Sequence, residues 1–211
     1  TDIEQVPERL SRRNAIITGA GAVAAIGAAS LSSQTNAKEG STTKKGHNME
    51  GATSLITGGA RGIGLASAIA LAKEGSNIVL YDVAEDLPGV NYPLAKESDL
   101  YDAKKKVEEH GVNCLVHKGD VRDRNRLSQV VSQTVEQFGS LDHVVVNAGV
   151  TQIGMIEYFT DEEVQTVIDI NVTGAVRTVQ SVVPIMREQQ SGGITIISSL
   201  LGRQGDEWFP I

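Results

Sequence analysis

The sequence has few residues that bind metals through sulfur or imidazole. Its 211 residues include one cysteine, Cys114, and four histidines scattered along the chain. A single cysteine excludes an internal disulfide and a cysteine-based zinc site, and the histidines show no spacing typical of metal ligands. Cys114 lies in the apolar stretch "NCLVHKGD", so we predict that it is a small core residue and that the protein has no metal site.

Basic and aromatic side chains are also scarce. The formal net charge is −7, and aromatic residues make up 4% of the chain. No basic stripe with interleaved aromatic residues is present, which argues against a nucleic-acid partner. The chain is 40% hydrophobic and 21% charged, a balance typical of a soluble protein with a packed core.

The first 46 residues differ from the rest of the chain. The tetrapeptide "SRRN" at 11–14 precedes an uncharged run from Ala15 to Leu31, and the polar stretch "KEGSTTKKG" follows. This layout resembles a twin-arginine signal peptide, with cleavage after Ala37. It predicts an export signal and linker over 1–46, a periplasmic protein, and no stable membrane association after cleavage. The alternatives are an uncleaved membrane anchor and a disordered leader on a cytoplasmic protein.

Two glycine-rich stretches begin alike, "ITGAGAVAAIGAAS" at 17–30 and "ITGGARGIGLAS" at 56–67. A dinucleotide-binding turn must follow a buried strand, because the end of the strand aims the turn at the phosphates. The first stretch follows the paired arginines and is assigned to the export segment. The second lies between a predicted strand over 52–56 and a predicted helix, and the strand "SNIVLYD" then ends at Asp82. We predict a β-α-β unit whose first turn holds a nucleotide.

The residues of this unit have separate predicted roles. Gly58, Gly62 and Gly64 let the backbone approach a pyrophosphate at the start of the helix. Asp82 lies 18 residues after Gly64, where a carboxylate accepts hydrogen bonds from both ribose hydroxyls and repels a 2′-phosphate. We therefore predict NAD rather than NADP, although Arg61 is either a solvated charge or a partner for a 2′-phosphate. The predicted cofactor-binding residues here are Gly58, Arg61, Gly62, Ile63, Gly64, Asp82 and Val83.

The pattern Thr-Gly-x-x-x-Gly-x-Gly at 57–64 resembles that of the short-chain dehydrogenase/reductase family. The resemblance covers residues 50–211 and rests on several further motifs in the family's order. It implies that "DV" at 120–121 lies beside the adenine and that "NAG" at 147–149 lines the nicotinamide side. It also implies that Asn171, in a helix, and Ser199, at the end of a fifth strand, are catalytic. The residues that carry these motifs are Asp120, Val121, Asn147, Ala148, Gly149, Asn171 and Ser199.

A long segment separates the second strand from a third strand predicted near 113–117. Val83 to Glu97 forms an insertion with two prolines, and a helix is predicted from Ser98, as its N-cap, to Glu109. The stretch "VNYPLAKESDLYDAKKKVEE" resembles the insertion of carveol-dehydrogenase-like and mycofactocin-coupled members of the family. That resemblance implies a segment that covers bound NAD and slows its exchange. The alternative is a surface insertion without consequence.

The family's catalytic pair is a Tyr-x-x-x-Lys helix, with the tyrosine about 13 residues after the serine in typical members. From Ser199 that position is 212, and the sequence given ends at Ile211. Tyr92–Lys96 and Tyr101–Lys105 have the spacing but precede the serine and lie in the wrong β-α unit. We therefore expect a fragment that is inactive as given. The alternative is a short protein that binds NAD or a partner without catalysis.

The predicted fold is a doubly wound, mainly parallel α/β sheet of the Rossmann type, with three α/β/α layers, over 47–211 and incomplete at the C-terminus. The predicted function of the intact protein is hydride transfer between nicotinamide and a small-molecule secondary alcohol or ketone. We also expect the intact protein to form a homo-oligomer.

Overall fold

The computed structural model describes residues 49–199, which form a parallel five-stranded sheet with helices on both faces. The strands are β1 (Thr53–Thr57), β2 (Asn77–Asp82), β3 (Cys114–Lys118), β4 (His143–Val146) and β5 (Gly193–Ile196). The helices are α1 (Gly62–Lys73), α2 (Glu97–Glu108), α3 (Arg124–Phe138), α4 (Asp161–Ile168) and α5 (Ala175–Gln189). A 3₁₀ turn (Ile156–Tyr158) precedes α4, and a π-helical turn (Asp169–Gly174) joins α4 to α5.

The strand order is β3-β2-β1-β4-β5, and every neighbouring pair is parallel. The chain adds strands outward from β1 to β3, then returns to the other side of β1 with β4. The order therefore reverses between β1 and β4. In open α/β sheets, ligands bind at such a point, beyond the carboxyl ends of the strands. The predicted doubly wound fold is confirmed.

Adjacent residues of the central strands point to opposite faces of the sheet and fill two cores. Leu55 and Val79 belong to the core beneath α3 and α5, whereas Ile56 and Leu80 belong to the core beneath α1 and α2. All four side chains are completely buried. A sheet buried on both faces has nearly continuous apolar strands, as "SLIT" and "NIVLY" are here. The three-layer arrangement follows from this pattern.

Two predicted boundaries are wrong. The fifth strand does not extend to Ser199, because β4 ends at Val146 and its carbonyl accepts the last interstrand hydrogen bond from the Ile197 N–H. Ser98 is not the N-cap of α2, because the helix begins at Glu97 and its N-cap is Lys96. The Asp99 carboxylate accepts a hydrogen bond from the Lys96 N–H at 2.7 Å. The insertion therefore ends at Lys96.

The predicted export signal and linker over 1–46 lie outside the described residues. Within 49–199, no helix has the length and apolar character needed to cross a bilayer. Cys114 is buried, as predicted. Burial raises the pKa of its thiol to about 12.

Candidate functional site

A cavity of about 340 Å³ lies beyond the carboxyl ends of the strands. It is lined by the ends of β1, β2, β3 and β4 and by the insertion over 83–96. Most of the predicted cofactor-binding residues line it, namely Gly58, Arg61, Gly62, Ile63, Asp82, Val83, Asp120, Val121, Asn147, Ala148 and Gly149. The fold thus gathers residues that are up to 91 positions apart in sequence, from Gly58 to Gly149, around one space.

The glycine-rich turn depends on missing side chains at three positions. Gly58 has φ +67°, and a Cβ there would lie 2.9 Å from the Ala148 Cα. A Cβ on Gly64 would lie 2.0 Å from the Gly58 carbonyl oxygen, so Gly64 closes the turn against α1 rather than lining the cavity. Gly62 has φ +58° and no atom within 4 Å of an added Cβ, so its backbone borders open space.

The first turn of α1 is suited to an anion. Its N-cap, Arg61, makes no side-chain cap hydrogen bond, and the turn contains no acidic residue. The first N–H groups of a helix have no partner within the helix, and the helix dipole places partial positive charge there. This terminus borders the cavity through Gly62 and Ile63. The arrangement can hold a phosphate or pyrophosphate.

Thr57 and Asn147 join the ends of β1 and β4. The Asn147 Nδ2 donates to the carbonyl oxygens of Thr57 at 3.0 Å and Gly58 at 3.1 Å. The Thr57 hydroxyl accepts from the N–H groups of Asn147 at 3.0 Å and Ala148 at 3.1 Å. These bonds hold the glycine-rich turn against "NAG". The positioning role of Thr57 was missed from the sequence, although the residue opens the family pattern.

The Asp82 carboxylate lies at the end of β2 and is only 9% exposed. One oxygen accepts from the Ala60 N–H and the other from the Ala84 N–H, each at 3.0 Å. Each carboxylate oxygen keeps a further lone pair, because an ionised carboxyl group accepts about four hydrogen bonds. The group is therefore fixed in place at the cavity wall and still able to accept from two hydroxyls.

Asp120 and Val121 follow β3. The Asp120 carboxylate accepts from the Arg122 N–H at 2.8 Å and from the Arg122 Nε at 2.9 Å, and this pairing raises the pKa of Arg122. Asp123, not Asp120, caps α3, and its carboxylate accepts from the Arg126 N–H at 3.0 Å. The Tyr81 hydroxyl donates to the Asp120 carbonyl at 2.8 Å, and burial raises the pKa of that phenol.

The two residues expected to be catalytic lie in different surroundings. Asn171 lies in the π-helical turn, and its side chain contacts the backbone of Val150, beside the cavity residue Gly149. Ser199 is exposed and does not line the cavity, whereas Ile197, two residues earlier, does. Their roles in chemistry stay predictions.

The insertion contacts both sides of the cavity. The Arg61 guanidinium donates to the Pro93 carbonyl at 3.0 Å, and the Tyr92 hydroxyl accepts from the Thr151 N–H at 3.2 Å. Gln152, whose side chain is fully buried, donates through Nε2 to the Gly89 carbonyl. The sequence did not identify Tyr92, Thr151 or Gln152 as site residues, because these contacts join separate loops.

In both Tyr-x-x-x-Lys stretches of this region, the lysine forms an ion pair with a nearby aspartate. Lys96 pairs with Asp86, and Lys105 pairs with Asp102 at 2.8 Å. Within the described part of the chain, no three His, Cys, Asp or Glu side chains are grouped so that they could hold a metal ion.

The sequence matches one known protein family over most of the part described above. The model of the short chain dehydrogenase family matches residues 52–211. The chain belongs to the short-chain dehydrogenase family. The turn at 57–64, the strand-end residues and the five strands all lie within the matched range.

Curated relatives extend beyond this chain. An uncharacterised oxidoreductase of Mycobacterium tuberculosis is 41% identical over 158 residues, which cover 74% of this chain and 57% of the relative. A (-)-trans-carveol dehydrogenase of Rhodococcus erythropolis is 38% identical over 159 residues, covering 74% and 57% respectively. The chain therefore spans less than two thirds of the length of these relatives.

Solved structures of the family share the fold. The carveol dehydrogenase of Mycobacterium avium, in complex with NAD, superposes with a TM-score of 0.71 at 33% identity, covering 76% of this chain and 58% of that one. A short chain dehydrogenase of Mycobacterium paratuberculosis, bound to NAD, superposes with a TM-score of 0.73 at 37% identity, covering 77% and 60%. The predicted likeness to carveol dehydrogenases is confirmed.

Proposed function

We propose that the intact protein is an NAD-dependent oxidoreductase that moves a hydride between nicotinamide and a secondary alcohol or ketone. The observation that carries the proposal is the Asp82 carboxylate, held by two backbone N–H groups at the wall of the cavity. The dehydrogenase relatives and the NAD complexes of two of the solved structures support it.

The residues of the cavity fit a dinucleotide. Gly62 leaves room for a pyrophosphate at the positive end of α1, and Asp82 can accept both ribose hydroxyls. Val121, which is 6% exposed, offers an apolar surface to an adenine. When bound, NAD supplies the hydride acceptor. NAD is favoured over NADP because the Asp82 carboxylate would repel a 2′-phosphate and the Arg61 guanidinium already bonds to Pro93.

The other residues position the cavity wall. Asn147 holds the glycine-rich turn through two carbonyl oxygens, and Asn171 holds Val150 beside the nicotinamide side of the cavity. We assign Ser199 to the substrate oxygen, as the family resemblance implies. A small-molecule alcohol or carbonyl compound is the proposed substrate, with its specificity unassigned.

The proposal includes slow release of the cofactor, which we attribute to the insertion over 83–96. The insertion lines the cavity through Leu87, Tyr92, Leu94 and Ala95 and is bonded to both sides of it. We propose that it slows the exchange of NAD, as the resemblance to carveol-dehydrogenase-like and mycofactocin-coupled proteins implies. Slow exchange would let a protein that is exported folded keep a cofactor loaded in the cytoplasm.

We further propose export through the twin-arginine route and assembly of identical subunits. The sequence of residues 1–46 supports export, and replacing Arg12 and Arg13 by lysine should keep the protein in the cytoplasm.

Assembly is supported by three exposed apolar side chains along the α4–α5 segment, Ile168, Val172 and Val176. Sedimentation of the complete gene product should give a mass above that of one chain, and a monomer would exclude this assembly.

The test of the activity uses the complete gene product with NAD and a panel of secondary alcohols of increasing size. Absorbance of the reduced nicotinamide should rise with at least one alcohol, and the matching ketone should reverse it. NADP is the control cofactor and should give a much slower reaction. NAD binding without reaction, in either direction and with every compound, would favour the non-catalytic alternative.

A further inference from the structure

Arg61 lies where the chain enters α1, on the β1 side of the cavity. Its Nη2 donates to the Pro93 carbonyl at 3.0 Å, across 32 positions of sequence. Pro93 belongs to the insertion, and Arg61 itself lines the cavity. The guanidinium is therefore directed to the insertion rather than left as a solvated loop charge.

Tyr92, the residue before Pro93, is bonded on the opposite side. Its hydroxyl accepts from the Thr151 N–H at 3.2 Å, and Thr151 follows β4. Because β1 and β4 are neighbours at the point where the strand order reverses, the dipeptide Tyr92–Pro93 spans the cleft between them. One hydrogen bond fastens it at each side.

The β4 side of the insertion has additional anchors. Gln152 donates to the Gly89 carbonyl, and the Thr166 hydroxyl donates to the Pro88 carbonyl at 3.4 Å. Gly89 is packed so closely that a Cβ there would lie 2.4 Å from the Thr166 hydroxyl oxygen. The insertion is thus firmly attached to the β4 and α4 side, and Arg61 supplies the hydrogen bond that reaches it from the first turn of α1.

We propose that Arg61 is a positioning residue that holds Tyr92–Pro93 across the cleft and so slows the release of NAD. The inference rests on the proposed function, and it adds the residue that keeps the cleft closed. Asp82 and Asn147, which would hold a bound dinucleotide, line the same cavity as Arg61 and Tyr92. Opening of the Arg61–Pro93 bond would therefore favour release of the dinucleotide. In this role Arg61 does not contact a 2′-phosphate.

The test compares Arg61→Met and Arg61→Lys in the complete gene product loaded with NAD. The rate of exchange against excess deuterated NAD is measured by rapid desalting and mass spectrometry. Arg61→Met should exchange about five- to tenfold faster than wild type, the effect of losing one charge-assisted hydrogen bond at an exposed site. Arg61→Lys, which keeps a charged donor, should restore part of the slow exchange. The matched control is Arg124→Met, an exposed arginine at the start of α3, which should exchange like wild type.

A second pair of variants and a measurement with NADP complete the test. Tyr92→Phe releases the other side of the dipeptide and should also speed exchange, whereas Tyr101→Phe, on the exposed face of α2, should not. The ratio of the NADP and NAD dissociation constants should be the same in Arg61→Met as in wild type, because the bond to Pro93 does not distinguish the two dinucleotides. Unchanged exchange in both Arg61→Met and Tyr92→Phe, or a loss of NADP affinity with unchanged NAD exchange, would overturn the inference. A wild-type protein that binds no NAD would instead refute the proposed function.

Discussion

Asn171 and Val150 exchange two hydrogen bonds. The Val150 N–H donates to the Asn171 Oδ1 at 2.8 Å, and the Asn171 Nδ2 donates to the Val150 carbonyl at 2.7 Å. The amide side chain therefore pairs with the backbone as a neighbouring strand would. Because Gly149 lines the cavity, this pairing fixes one edge of the site relative to the π-helical turn. Asparagine suits the position, since its side chain carries both a donor and an acceptor.

Asn171→Asp should weaken this edge of the site. An ionised aspartate has no donor, and one of its oxygens would face the Val150 carbonyl oxygen. We expect a loss of about 1 kcal/mol in the free energy of unfolding, the usual cost of one hydrogen bond at an exposed position. Urea unfolding measures it, with Asn125→Asp on the exposed surface of α3 as the control. Equal midpoints for the two variants would show that the pairing contributes nothing.

Gly62→Ala should impair nucleotide binding more than stability. The residue has φ +58°, so alanine costs roughly 1–2 kcal/mol of backbone strain, and its methyl group would enter the cavity. Gly111→Ala is the matched control, since Gly111 has φ +80°, equally open surroundings and no place in the cavity. Both variants should lose similar stability in thermal unfolding. Calorimetric titration should show weaker NAD binding for Gly62→Ala alone, and equal binding by both would contradict the assigned site.

The sequence predicts the fold well because its signals are local. Apolar runs such as "NIVLY" indicate strands buried on both faces, and the glycines at 58, 62 and 64 mark the turn between strand and helix. The order of these elements then limits the topology. The strand-end residues could be placed around one cavity for the same reason, since parallel strands end at the same edge.

The contacts between loops could not be predicted in this way. Whether Arg61 contacts a phosphate, water or the insertion depends on where Pro93 lies, and the irregular path of the insertion has no periodicity.

The predicted end of the fifth strand is wrong because the length of the strand is set by its partner, and β4 ends at Val146. The predicted cap of α2 is wrong because the Asp99 carboxylate accepts from the Lys96 N–H, and this contact places the N-cap two residues before Ser98.

Asp82→Ser should change the choice of cofactor. The substitution removes the carboxylate that we propose accepts hydrogen bonds from the ribose hydroxyls and repels a 2′-phosphate. NAD affinity should fall about tenfold or more, the cost of a lost charge-assisted hydrogen bond. NADP affinity should rise or stay constant, so the ratio of the two dissociation constants moves towards NADP. Fluorescence titrations with both cofactors measure that ratio, and an unchanged ratio would remove Asp82 from the ribose site.

Cys114 should resist alkylation in the folded protein. Burial raises the pKa of its thiol to about 12, so the reactive thiolate is scarce near neutral pH. Iodoacetamide at pH 8 should label native protein at least about a hundredfold more slowly than protein unfolded in guanidinium chloride. Because the folded state holds the thiol proton more tightly, this group's contribution to stability is lost as the pH rises from the unfolded thiol's value towards about 12. Equal labelling rates would contradict the burial of Cys114.

The central claim is that the cavity at the ends of the strands holds NAD. The direct test is the nucleotide content of the complete gene product, purified without added cofactor, denatured and analysed by mass spectrometry. We expect about one NAD for each chain in the wild type and a clear loss in Asp82→Ser. Protein that carries no nucleotide, and that binds none when NAD is added, would contradict it.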